Sequence, residues 1–135
     1  MEGGVPHRGT EEGSVSALVV ALAMGFVACT ALAVDGGRVV AAAVAAGDHA
    51  ENAARAGVQH LESLRSGSPS VDRPAALSAA RAYLSRHGID GEVTASERRV
   101  TVRTTIVVRL PLLALLGVEE RRVAAERSAE PVSEP

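Results

Sequence analysis

From Val15 to Val34 (VSALVVALAMGFVACTALAV) the chain carries no charged side chain for twenty residues, with Glu11 and Glu12 before the run and Asp35 and Arg38 behind it. At about 1.5 Å of rise per residue, a helix of that length reaches roughly 30 Å, the thickness of a bilayer's hydrocarbon core. Its strongly apolar residues, among them Leu18, Leu22, Phe26 and Leu32, each favour insertion by about 0.3 to 0.6 kcal/mol. Ser16, Gly25 and Thr30 reduce that margin. The pattern predicts one membrane-crossing helix over 15–34, preceded by a stub of residues 1–14.

The helical pattern does not stop at the charges. Asp35, Gly36, Gly37 and Arg38 mark the membrane exit, and the Pro-free, Ala-rich stretch that follows predicts a second helical segment over 37–65. Val40, Ala43, Gly47, Ala50, Ala54, Gly57, Leu61 and Leu64 recur at steps of three and four and define one face. Most of that face is Ala or Gly, which lets another backbone approach closely, so it suits a sheet or neighbouring helices. From Val15 to Arg65 the rod would measure roughly 75 Å. Each glycine of the Gly36–Gly37 pair weakens a helix by about 1 kcal/mol relative to Ala, so a kink or break is expected there.

Ser66 to Ser70 form a turn-rich linker. Asp72 then caps a helix over 73–87 with Pro74 in its first turn, Gly88 as a left-handed stop, and Leu77, Ala80, Tyr83 and Leu84 on the buried side. Beyond Ile89 the period changes to two. Val100, Val102, Thr104, Ile106, Val108 and Leu110 alternate with Arg99, Thr101, Arg103, Thr105, Val107 and Arg109, which predicts a half-buried strand over 99–110. Shorter strands are expected near 91–96 and 120–128, and a loose tail over 130–135. Together these elements predict an α+β domain over 35–129 with a small antiparallel sheet of about three strands. The run Leu110 to Val118, interrupted by Pro111, is too short to cross a membrane. It reads either as a connection that tucks its leucines against the helices or as an apolar loop offered to the membrane surface or a partner.

Composition narrows the function classes. The 135 residues carry a net charge of −2, no Lys, and only Phe26 and Tyr83 as aromatic residues, so neither a basic face nor stacking rings point to nucleic acid. Cys29 is the sole cysteine and lies inside the apolar run. His49 and His60 stand eleven residues apart, roughly 16 Å along a helix, too far to share a metal. Asp48, His49, Glu51 and Asn52 read as a solvated helix face. No phosphate loop and no G-x-S-x-G elbow occurs. Glutamates surround the Arg98–Arg99 and Arg121–Arg122 pairs, which predicts cross-strand ion pairing in solvent. We therefore expect a structural protein, not an enzyme, without cofactor, metal or small-molecule substrate.

Ala31-Leu32-Ala33 resembles a leader cleavage sequence, so a secreted protein cut after Ala33 is an alternative. The flank opposes it, because Glu2, Glu11 and Glu12 outweigh Arg8 where a leader would be basic. Charge alone, Arg8 against Arg38 and Arg55, leans toward a C-terminus inside.

Gly13-Ser14 before the span, Asp35 to Arg38 after it, the stretch Ala50 to Gly57 (AENAARAG) and the Thr/Val strand region together resemble a family. The chain is similar, from about Glu12 to Ser128, to the TadE/TadG-like proteins of the tight-adherence (Flp-type) pilus system, of an actinobacterial type. The resemblance implies a pilin-like fold, an N-terminus in the cytoplasm with the C-terminal domain outside, and partnership with the lipid bilayer and other pilin-like subunits through helix packing. That orientation overrides the charge argument. Prepilins of this system are cut after a Gly with Glu five residues on. Here Ser14 and Leu18 stand at those positions relative to Gly9 and Gly13, so no cut site is assigned. The rival from another class is a single-pass, membrane-anchored binding or accessory module unrelated to pili.

Overall fold

A computed structural model describes residues 9–62 and 70–131. Residues 1–8 of the expected stub, Leu64, residues 66–69 of the linker and residues 132–135 of the tail lie outside the described residues. The spine is a single helix, α1 (Gly9–Val58), fifty residues long, and it includes residues 9–14 of the expected stub. It runs unbroken through Gly36 and Gly37, where a break was expected. Glycine weakens a helix but neither removes a backbone donor nor clashes with the preceding turn as proline does, so the hydrogen-bond ladder continues.

Helix α1 ends at Val58, seven residues short of the expected limit at 65. The Gln59 amide donates to the Arg55 carbonyl and the His60 amide to the Gly57 carbonyl, both at 3.2 Å, tightening the last turn. The chain then enters β1 (Leu61–Glu62), which pairs antiparallel with β2 (Ser70–Val71). Leu61 thus belongs to a strand. Asp72 closes the excursion, its amide donating to the His60 carbonyl at 3.0 Å.

Helix α2 (Arg73–His87) begins where its cap dictates: Asp72 Oδ1 accepts from the Ala75 amide at 3.2 Å and Pro74 fills the first turn. Gly88 ends it in the left-handed conformation, φ 62°. Ala76, Ala80 and Leu84 are buried, with Leu77 and Tyr83 packed partly against them.

Three strands follow, β3 (Asp90–Ala95), β4 (Val100–Arg109) and β5 (Glu120–Ala129), in a fully antiparallel sheet of order β3-β4-β5. In β4 the alternation sends Val100, Val102 and Thr104 into the core and leaves Arg103, Val107 and Arg109 exposed. On the outer face Arg103 lies opposite Glu92 of β3 and Glu126 of β5, a row of alternating sign across the sheet. Arg99 pairs with Glu130, its Nε donating at 2.7 Å.

Both helices cover the inner face, so the molecule is α+β. Ala50, Ala53 and Ala54 of α1 meet Ala76, Ala80 and Leu84 of α2 and Val93, Val100 and Val102 of the sheet. Because the fully buried residues that α1 contributes to this core are all alanines, its backbone lies close to both neighbours. A Cβ at Gly57 would stand 3.0 Å from Val100 Cγ1 and 3.1 Å from the Ala76 carbonyl. The Thr104 hydroxyl donates to the Ala46 carbonyl at 2.7 Å, joining sheet to helix inside the core.

Candidate functional site

The part of α1 that precedes the domain is the candidate site. Among the described residues α1 is the one helix long and apolar enough to cross a membrane. Between Val15 and Val34 its large apolar side chains, including Leu18, Leu22, Phe26 and Leu32, are exposed. Cys29 is a free, exposed thiol in the same stretch.

At the exit motif the four residues diverge. Arg38 and Gly37 are exposed and Gly36 is half-buried, whereas Asp35 is 0 % exposed. Its carboxylate turns inward, away from solvent. Asp35 Oδ2 accepts from the amides of Leu112 (2.9 Å) and Leu113 (2.8 Å). Those amides open a 3-10 turn, Leu113–Leu116, whose own cap position, Leu112, supplies no side-chain acceptor. The first amides of any helical turn need acceptors from outside it. Asp35 therefore caps from α1 a turn that lies 77 residues further along the chain. Asp35 Oδ1 is buried without a hydrogen-bond partner, so the carboxylate is satisfied on one side only.

The leucine turn is closed at its base by the Leu110 amide donating to the Glu119 carbonyl at 2.8 Å, and at its end by Gly117 at φ 87°, a conformation that excludes most side chains. Leu110 is buried and Leu112 and Leu113 are half-buried. Leu115 and Leu116 stand 81 % and 69 % exposed. With Leu112 they form one wall of an apolar groove whose other wall includes Val20, Met24 and Val27 of α1. The segment sets Leu112 beside α1 and leaves Leu115 and Leu116 largely exposed at the rim of the groove.

The expected packing face needs two corrections. Val40 is 64 % exposed and Ala43 is exposed as well. The buried line instead passes through Ala46, Gly47, Ala50, Ala53, Ala54 and Gly57, so Gly47, Ala50, Ala54 and Gly57 belong to it and Val40 and Ala43 do not. The direction of that line is set by the sheet. A Cβ at Gly47 would meet the Arg127 guanidinium at 3.2 Å, and Gly57 abuts Val100. This face is therefore covered by the chain's own domain and is closed to a neighbouring helix.

Histidine placement also differs from the sequence reading. His49 meets α2: its Nδ1 lies 3.5 Å from the Tyr83 hydroxyl, and its ring is 5.5 Å from that of His87, which stacks on Tyr83 at 4.2 Å. His87 Nδ1 lies 2.8 Å from the Tyr83 carbonyl oxygen, so that nitrogen carries a proton and donates. The cluster ties the two helices together. Among the described residues no group of three His, Cys, Asp or Glu side chains is placed to hold a metal ion.

The sequence reading missed the bond between Asp35 and the leucine turn. A charge beside an apolar run reads as the end of that run, and no local feature says which way its side chain points. The one available signal was a leucine-rich turn with no polar cap of its own. No protein-family model matches the chain, and comparisons with curated proteins and with solved structures return no match.

Proposed function

We propose that the chain is a single-pass, pilin-like structural or assembly subunit of a tight-adherence pilus or a related secretion apparatus, with its N-terminus in the cytoplasm and its α+β domain outside. The observation that carries this reading is the division of α1. Its first half leaves its largest apolar side chains uncovered, and its second half is the spine of a small sheet domain. One continuous helix thus serves two solvents, as an anchored subunit drawn into or held beside a fibre requires. The family resemblance of Gly13-Ser14, Asp35 to Arg38 and Ala50 to Gly57 supports the assignment to this system.

Because the Ala/Gly face beyond Ala46 is filled by the sheet, contact with sister helices falls to the uncovered half of α1. There Ala21 and Gly25 are small enough for close approach, and a Cβ at Gly25 would meet nothing within 4 Å. The role is structural and not catalytic.

The test is a reporter fused after Pro135, read in the native cell for external against cytoplasmic activity, combined with crosslinking from Cys29. External activity and crosslinks to pilin-like subunits are expected. Cytoplasmic activity would overturn the orientation. Recovery of the uncut chain in the soluble fraction would overturn the anchor. An external reporter without crosslinks to any filament component would favour an anchored module unrelated to pili.

A further inference from the structure

We infer that the leucine turn is a second membrane contact: Leu115 and Leu116 insert into the same leaflet as the domain-proximal half of the span, held there by Asp35. This rests on the reading of α1 as a membrane span and adds to it a fixed depth and rotation of the domain at the surface.

Three observations carry the inference independently of any resemblance. The first is position. The groove shared by the turn and α1 has Val20, Met24 and Val27 on its helical wall, all inside the charge-free segment. Met24 is eleven residues before Asp35, roughly 16 Å along the axis, which is about half the thickness of a hydrocarbon core. A bilayer that surrounds this part of α1 therefore surrounds Leu115 and Leu116 too. Lipid acyl chains are the occupant of the groove that this continuity selects.

The second is the backbone. A loop in water can leave its amides to the solvent, whereas non-helical backbone at membrane depth must satisfy them within the protein. The amides of Leu112 and Leu113 donate to Asp35, that of Ala114 to the Leu110 carbonyl, and that of Leu115 to the Leu112 carbonyl at 3.4 Å. Those of Gly117 and Val118 donate to the Ala114 and Leu113 carbonyls at 3.0 and 3.1 Å. Six amides of the segment are thus satisfied within the protein while Leu115 and Leu116 stand exposed.

The third is charge. The turn has no ionisable residue between Arg109 and Glu119, and α1 has no exposed Asp, Glu, Arg, Lys or His between Gly13 and Gly37, because its single carboxylate there, Asp35, is turned under the turn. An ionisable side chain at membrane depth is tolerated when it faces protein and bonds to backbone. Asp35 meets both conditions only because the turn covers it. Exposed Arg38, Arg109, Arg121 and Arg122 resume the charge where turn and helix leave the apolar zone.

The experiment uses the full chain in vesicles of phosphatidylethanolamine and phosphatidylglycerol, with a polarity-sensitive fluorophore on one cysteine at a time. Native Cys29 reports the span. Leu116→Cys in a Cys29→Ala background reports the turn, and Ser96→Cys in the same background reports the far end of the sheet. We expect the label at 116 to be blue-shifted and quenched by lipid-borne quencher as strongly as the label at Cys29, with the label at 96 quenched only from water. If Cys29 is in lipid and position 116 is quenched from water, the inference is overturned and the span stands. If Cys29 itself is quenched from water, the span reading fails and the inference fails with it. Protection of position 116 from both quenchers would show a protein contact between copies and would also overturn the inference. Adding Asp35→Ala should move the label at 116 toward aqueous quenching while leaving Cys29 unchanged. Unaltered lipid quenching at 116 in that variant would overturn the positioning role of Asp35.

Discussion

The two halves of α1 are continuous in backbone and opposite in environment. The half with the larger apolar side chains, Leu18, Leu22, Phe26 and Leu32, is uncovered, and the half made mostly of Ala and Gly has one face, from Ala46 to Gly57, buried beneath the domain. In a protein folded in water alone the ranking would run the other way, since burying large aliphatic and aromatic side chains contributes most. The inversion shows what each half is built to meet. Small residues near the domain let the sheet come close enough for a hydroxyl on β4 to reach a helical carbonyl, as Thr104 reaches Ala46. Large residues in the other half are left uncovered by the sheet and suit an apolar solvent.

That contrast can be broken from either side. Gly57→Leu should be the most damaging change in the covered half, because its side chain would enter the space of Val100 and the Ala76 carbonyl. We expect a loss of about 3 kcal/mol in denaturant unfolding of the domain, with membrane fractionation unchanged. Val27→Arg is its counterpart in the uncovered half. It should disfavour insertion by about 3 kcal/mol, read as a shift out of the membrane fraction, and leave the unfolding midpoint of the domain where it was. A common response of both measurements to either variant would mean that the halves do not act separately.

Smaller changes sharpen the boundary. Thr104→Val removes a hydroxyl that bonds β4 to α1 in the core and should cost about 1 kcal/mol in the same unfolding measurement. Gly36→Ala should raise stability by about 0.5 to 1 kcal/mol, because the helix is unbroken there and a Cβ would meet nothing within 4 Å. A loss of thermal stability in Gly36→Ala would show that the position bends.

What the sequence revealed follows from how local each determinant is. Helix α2 was legible to its ends because Asp72, Pro74 and Gly88 are themselves the start and stop. The inward side of β4 was legible because Val100, Val102 and Thr104 alternate with Thr101 and Arg103. The face of α1 was only partly legible. In an Ala-rich helix several adjacent stripes are equally small, so Val40 and Ala43 fit the pattern as well as Ala46 and Ala53 do, and the sheet alone decides among them. The end of α1 was misplaced because pairing of Leu61 with Val71 competes with further helix, and that partner lies ten residues on. Asp35 was assigned to the exit and its actual contact was invisible, since the amides that it caps become neighbours only when the sheet returns the chain to the middle of the helix.

The unbroken passage of α1 from uncovered half to covered half has a mechanical corollary. With no joint at Gly36–Gly37 and with a strut from Asp35 to the returning loop, tilt or twist imposed at one end of the rod is delivered to the sheet without slack. The domain then behaves as the head of a lever and not as a tethered bead, so force on it is felt directly at the root.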